Sequence, residues 1–317
     1  MKSYHYFPGC SLEGMAKEFD QTTREIFTTL GASLKEIEDW SCCGATSAHF
    51  TDRLLSYALP ARNLNITKKC GGNELAVSCA ACFARLKVTS YNLQKDAKLR
   101  GEVAEVMEVE EKELNSLSDV VPRHILEILT KDFSVEDIKS KVIRDLSGLK
   151  IAPYYGCLLV RPPQILEFDD PENPMIMDNI IKTVGASVVD FPFKTECCGA
   201  SLTLSKADIV ANLTKKIITE ARDAGADLIV VACPLCQTNL DMRQLDLQSD
   251  NLIDFEIPVI YFTQLMGLAF GIDEKKLGFN RNMIAVLPTI KEKLAAAVVT
   301  KVATVATAAT STEREGE

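Results

Sequence analysis

The chain has 317 residues, room for two domains of roughly 150 residues, and its 47% hydrophobic and 25% charged content is that of an ordinary globular protein. A net charge of −9, with no Lys/Arg run longer than two residues, excludes a sequence-independent nucleic-acid surface. The N-terminal "MKSYHYFPGC" lacks the apolar core of a signal peptide and no apolar stretch reaches the ~18–20 residues of a membrane helix, so a cytoplasmic protein without membrane insertion is expected.

In chain order, "KSYHYF" reads as a strand and "GMAKEFDQTTREIFTTLG" as a helix, with apolar Met15, Phe19, Ile26, Phe27 and Leu30 at helical spacing and a stop at Gly31. Residues 98–146 differ in character: "KLRGEVAEVMEVEEKELNSL" is charged, and "VPRHILEILT" and "SVEDIKSKVI" read as short helices. A helical connector is therefore expected over 99–147, separating a first module at 1–98 from a second at 148–290. In the second module "LKIAPYY" is a strand, "MIMDNIIKTVG" and "KADIVANLTKKIITEARDAG" are helices closed by Gly185 and Gly225, and "ADLIVVA" is a wholly apolar run. Strands alternating with helices imply an α/β fold of two pseudo-symmetric modules, each with a short, mainly parallel sheet and flanking helices. After residue 290 the composition drifts into Ala, Val and Thr and ends in "STEREGE", which predicts a flexible low-complexity tail over 291–317.

The modules repeat one cysteine pattern. "YFPGC" is matched by "PYYGC", "GASLKEIEDWSCCGA" by "GASVVDFPFKTECCGA", and "GGNELAVSCAAC" by "GADLIVVACPLC". Each module thus carries one cysteine, then Cys-Cys-Gly, then Cys-x-x-Cys: Cys10, Cys42, Cys43, Cys79 and Cys82 in the first, Cys157, Cys197, Cys198, Cys233 and Cys236 in the second. The spacing from first cysteine to Cys-Cys is 31 residues in the first module and 39 in the second. Cys70, the eleventh, aligns with Ala224 and reads as a helix-end cysteine that binds nothing. Both Cys-x-x-Cys motifs follow a buried strand, and ligands of open α/β sheets bind beyond the carboxyl ends of the strands.

A reducing cytosol argues against a disulfide framework, so metal or thiol chemistry is expected. Thiolates suit zinc and iron–sulfur clusters. A structural zinc takes four ligands, which leaves one cysteine over, and neighbouring residues on extended backbone point to opposite faces, towards two metals rather than one. Cys-x-x-Cys at a strand–helix junction also resembles thioredoxin-type dithiol chemistry, but that needs none of the other three cysteines. A [4Fe–4S] cubane takes four cysteines. Five suggest an opened, non-cubane cluster.

This doubled five-cysteine pattern resembles the duplicated CCG domain of the heterodisulfide reductase B-subunit family, over about residues 3–270. The resemblance implies two non-cubane [4Fe–4S] clusters, one held by each set of five cysteines. It implies a catalytic role in reducing the coenzyme M–coenzyme B heterodisulfide, or an analogous disulfide, to two thiols with one electron from each cluster. The partners it implies are a cubane-cluster ([4Fe–4S]) C subunit and a flavin-containing A subunit of a heterodisulfide reductase-type complex, with a small disulfide or a redox-active protein as substrate. Similar domains occur in complexes acting on quinones, lactate, glycolate or aromatic thioesters. An electron-transfer component of a larger oxidoreductase is therefore the alternative, and a zinc-stapled scaffold a third. No Gly-x-Gly-x-x-Gly fingerprint follows a strand, so electrons must come from other proteins.

Outside the cysteines, Arg161 in "GCLLVRPP" is a candidate clamp for an anionic substrate group or else a structural arginine. His5 and His49 are candidate proton donors, or structural histidines, and His124 in the connector reads as structural. Lys194, Lys206 and Arg243 read as surface charges.

Overall fold

The structure is a computed structural model that describes residues 2–45, 48–203 and 205–312, the side chains of His49 and of 300–312 excepted. Strand β1 (Lys2–Phe7) leads into the short helix α1 (Cys10–Glu13), then α2 (Lys17–Thr29), β2 (Ala32–Glu36), α3 (Ala48–Thr51), α4 (Leu55–Lys69), β3 (Glu74–Val77) and α5 (Ala80–Lys95). Helices α6 (Ala97–Met107) and α7 (Glu111–Asn115) follow, then β4 (Val121–His124), α8 (Ile125–Lys131) and α9 (Val135–Lys139). The second half repeats the plan with β5 (Lys150–Tyr154), α10 (Pro163–Leu166), α11 (Ile176–Thr183), β6 (Ser187–Val188), α12 (Ala207–Asp223), β7 (Leu228–Val231) and α13 (Pro234–Ser249). It ends with β8 (Val259–Tyr261), α14 (Phe262–Ala269), α15 (Glu274–Leu277) and α16 (Val286–Thr312).

The two sheets have the same topology, β2-β1-β3-β4 and β6-β5-β7-β8, and every pair is parallel. This is the expected α/β duplication. The central strand β7, Leu-Ile-Val-Val, is buried throughout, because helices cover both faces of a parallel sheet.

One expectation is corrected. The connector is not helical alone: Val121–His124 form β4, the edge strand paired with β3 from Glu74↔Val121 to Val77↔His124. "VPRH" carries a proline and two polar residues, and an edge position tolerates the missing donor of Pro122. Among the described residues the low-complexity segment after residue 290 is helical through Thr312. Val286 and Ile290 are buried, and α16 packs so closely on Gly148 that a Cβ there would meet Ala297 Cβ at 2.6 Å. Alanine is the best helix former, which accounts for helix in this stretch.

The halves interlock. Helix α14 of the second half packs on α2 of the first, and α8 of the first packs on α11 of the second. At the first contact Phe19 stacks on Tyr261 at 4.2 Å between centroids and Thr22 Oγ1 meets Thr263 Oγ1 at 2.7 Å. A single hydrophobic cluster runs through both halves. The carboxyl ends of β1, β3, β5 and β7, and the cysteines that follow them, are thereby brought to one junction.

Candidate metal centre

The ten paired cysteines gather at this junction and are free thiols. In the first module Cys10 Sγ lies 3.5 Å from Cys42 Sγ, and Cys43 Sγ lies 3.1 Å from Cys82 Sγ. In the second, Cys157 touches Cys197, and Cys198 Sγ lies 3.6 Å from Cys236 Sγ. The adjacent cysteines reach different partners, Cys42 meeting Cys10 at the start of α1 and Cys43 meeting Cys82 on α5, while their own two thiols stay within hydrogen-bonding reach of each other. The remaining two, Cys79 and Cys233, lie within hydrogen-bonding reach of each other across the modules, and both are buried. Cys70 is exposed at the C-terminus of α4, away from this set.

The backbone around the thiols is shaped for something bulkier than a proton. Gly9 and Gly156 have positive φ, and a Cβ there would stand 3.0 Å from Cys82 Sγ and 3.2 Å from Cys236 Sγ. Gly44 and Gly199, after the Cys-Cys pairs, also have positive φ, and their N–H groups point at Cys42 Sγ (3.4 Å) and Cys197 Sγ (3.3 Å). Contact with Cys10 and the Gly44 N–H hold the Cys42 thiol below its ordinary value; contact with Cys157 and the Gly199 N–H lower Cys197 to about 6. The thiolate is the metal-binding form.

Asparagines fix both Cys-Cys loops. Asn63 on α4 accepts from Ser41 N at 2.9 Å and donates to Ser41 O at 2.7 Å; Asn239 on α13 donates to Cys198 O at 2.5 Å. In the second module the loop is locked further by Lys194, expected at the surface but buried, whose Nζ donates to Asp178 Oδ1 and Pro174 O, both at 2.9 Å. Its carbonyl accepts the N–H groups of Tyr155 and Gly156, next to Cys157. A lysine followed by Thr-Glu-Cys-Cys carries no sign of burial; only the distant Asp178 explains it.

The other candidates fall in different places. Arg161 donates to Thr195 O at 2.9 Å and pairs with Glu172 at 3.1 Å, so it braces the segment before Cys197. His5 faces Gly72 in a depression with Lys2, Glu74 and Asp132, at the strand ends opposite the cysteines. His49 is on α3, directly after the first Cys-Cys loop, and its side chain lies outside the described residues. His124 is buried at the junction itself: Nε2 donates to Ser78 O at 2.8 Å, and Nδ1 accepts the Leu126 N–H at 3.2 Å. Burial lowers its pKa to about 4, so the imidazole is neutral. Strand register puts Tyr261 at the equivalent position of the second module, since Val77 pairs His124 as Val231 pairs Tyr261. Lys206 is exposed; Arg243 pairs with Asp246 at 2.7 Å.

All five cysteines of the second module line one small cavity of about 60 Å³, together with Ala45, Ala80 and Ala81 of the first. Among the described residues no three His, Cys, Asp or Glu donors converge on a single ion position. A five-thiol set around one cavity, with N–H groups aimed at sulfur and glycines under the thiols, fits an iron–sulfur cluster better than a tetrahedral zinc.

Fold and site together define a duplicated α/β protein with a thiol-lined centre shared between its halves. The chain belongs to the CCG cysteine-rich domain family, whose model matches residues 4–87 and 151–241. It is 35% identical to the 8-methylmenaquinol:fumarate reductase membrane anchor subunit of Wolinella succinogenes, over 89% of this chain and 97% of that protein. It is 29% identical to the B subunit of the ferredoxin:CoB-CoM heterodisulfide reductase of Methanosarcina mazei, over 90% and 94%. It is 30% identical, over the same shares, to the B subunit of the ferredoxin/F(420)H(2)-dependent CoB-CoM heterodisulfide reductase of Methanosarcina acetivorans. Among solved structures, a hypothetical protein from Helicobacter pylori matches with a TM-score of 0.68 at 12% identity, over 90% of this chain. This chain spans about half of that one, 52%, and the match shows the fold alone. Heterodisulfide reductases are oxidoreductases, and their B subunits work in multi-subunit complexes. No helix among the described residues is long and apolar enough to cross a membrane.

Proposed function

We propose that the chain is the catalytic iron–sulfur subunit of a heterodisulfide reductase-type complex, in which two five-cysteine sites act together on one substrate. Cys10, Cys42, Cys43, Cys79 and Cys82 would hold one [4Fe–4S] cluster, and Cys157, Cys197, Cys198, Cys233 and Cys236 the other, both non-cubane because five thiolates exceed the four of a cubane. The observation that carries the reading is the contact of Cys79 with Cys233, which makes the two sites neighbours. Each cluster, when bound, supplies one electron, and reduction of a disulfide to two thiols takes two.

The protein's own part is to hold and shield. The asparagine braces fix the Cys-Cys loops, the glycine N–H groups favour thiolate at Cys42 and Cys197, and burial of Cys79 and Cys233 keeps water from the junction. His5 takes no part in proton delivery in this reading, and Arg161 acts through the Thr195 segment. A cubane-cluster C subunit and a flavin-containing A subunit would deliver the electrons, in the cytoplasm. Anoxic assay of the assembled complex with reduced dye and a disulfide tests the proposal: thiol product at two per disulfide is expected, and a fully metallated complex that forms no thiol from any disulfide contradicts it.

A second reading, electron exchange with a quinone, is supported by two observations. Arg161 and Arg243 are both paired, which leaves neither for an anionic disulfide, and the relative at 35% identity is named for a menaquinol.

A further inference from the structure

A groove of about 590 Å³ lies between α1 of the first module and α13 of the second. We propose that this groove is the substrate channel to the second cysteine site, and that it takes an uncharged, apolar two-electron carrier, a quinone or a dialkyl disulfide. The proposal deepens the function above and rests on its reading of the cysteine site.

Position is the first argument. Ala200, Ser201 and Leu235 line both the groove and the cysteine cavity, so the one opens onto the other. Ala200 and Ser201 follow the Cys-Cys-Gly loop directly, and Leu235 lies between Cys233 and Cys236. A ligand in the groove therefore lies against the two segments that carry four of the module's thiols.

Chemistry is the second. Met15, Met242, Leu245 and Met283 line the groove and are between 41% and 67% exposed. Large apolar side chains so placed mark a binding surface, and methionine adapts to varied apolar shapes. Among the described residues the charged side chains of the lining are Arg243 and Asp246, paired at 2.7 Å. Binding a carboxylate, sulfonate or phosphate calls for a free cation or a cluster of donors, and the groove offers a neutralised pair.

Asymmetry is the third. The equivalent space in the other half lies between α10 and α5, and it is filled. The segment from Cys157 to α11 is longer than its counterpart from Cys10 to α2, and it sets Phe168, 4% exposed, against Phe83 at 6.0 Å and His124 at 5.9 Å. An apolar ligand can thus approach from the side of the second module.

The test is calorimetric titration of the full-length, iron-loaded protein with menadione, with dibutyl disulfide and with anionic glutathione disulfide, beside Met242→Glu and Leu245→Glu. Both positions are exposed, so these variants keep the fold, which iron content and the visible spectrum verify. The expected result is binding of at least one neutral probe, weakened about tenfold or more in both variants, with glutathione disulfide about tenfold weaker than that probe in the parent protein. Which neutral probe binds tells the two carriers apart. Neutral probes that bind the variants as well as the parent, or that fail to bind while glutathione disulfide binds, overturn the proposal. The same titration on the iron-free chain separates the two levels: failure to take up iron contradicts the cluster function, whereas groove binding is read independently of it.

Discussion

The two modules share their sheet topology and the glycines set against their thiols, and differ in how the Cys-Cys loop is braced and in the segments around it. Both have a positive-φ glycine under the Cys-x-x-Cys sulfur and a positive-φ glycine after Cys-Cys, while the loop is braced differently, by Asn63 of α4 at Ser41 in the first and by Asn239 of α13 at Cys198 in the second. Outside that frame, the second module has a buried Lys194–Asp178 pair and a longer segment after its first cysteine, and Tyr261 stands where the first has His124. The Tyr261 hydroxyl is buried with no hydrogen-bond partner among the described residues, whereas both ring nitrogens of His124 are satisfied. Duplication preserved the part that holds the centre and released the part that governs access to it.

The strongest way to break this comparison is to remove one junction cysteine. Cys79→Ser or Cys233→Ser should abolish two-electron turnover whichever module is hit, because the sites work as a pair, while Cys70→Ser should leave it unchanged. Half the parent activity in either junction variant would mean that the modules act separately.

A smaller effect separates the halves. Lys194→Met leaves Asp178 buried without its cation and should destabilise the fold by about 3–5 kcal/mol in urea unfolding. Adding Asp178→Leu should recover most of that loss, and an unrecovered double variant would mean that Lys194 acts through its contacts to Pro174 and Asn173 instead.

The His124–Tyr261 difference predicts a pH dependence that the tyrosine at the equivalent position does not supply. Burial takes the imidazole from 6.5 to about 4, so its neutral form stabilises the fold fully above pH 6.5. That contribution, roughly 3 kcal/mol at most, is lost as pH falls from 6.5 through 4. His124→Gln should flatten the corresponding part of the unfolding midpoint between pH 7 and 4, and an unchanged profile would place the titration elsewhere.

The smallest effects sharpen the symmetry. Gly9→Ala and Gly156→Ala should each destabilise by about 1–2 kcal/mol through the left-handed backbone, and each should disturb the absorption of its own module's centre.

Much of this was legible in the sequence, because the signals were local or repeated. The strands before the first cysteine and before the Cys-x-x-Cys of each module, and the helices closed at Gly31, Gly185 and Gly225, appear as expected. The longer second segment shows as 39 residues against 31 before Cys-Cys. What escaped depends on contacts distant in sequence. "VPRH" becomes a strand only by pairing with β3, Lys194 is buried only because Asp178 waits on α11, and asparagines inside helices look unremarkable until Asn63 and Asn239 meet their loops. The groove could not be seen at all, since its walls, α1 and α13, come from different modules.

The central claim is that each module's five cysteines hold one iron–sulfur cluster, and metal and sulfide content after anoxic reconstitution tests it most directly. The account predicts about eight iron and about eight sulfide per chain, falling to about four of each in Cys43→Ser and in Cys198→Ser alike, from four per cluster. Zinc in place of iron, or iron without sulfide, would contradict it.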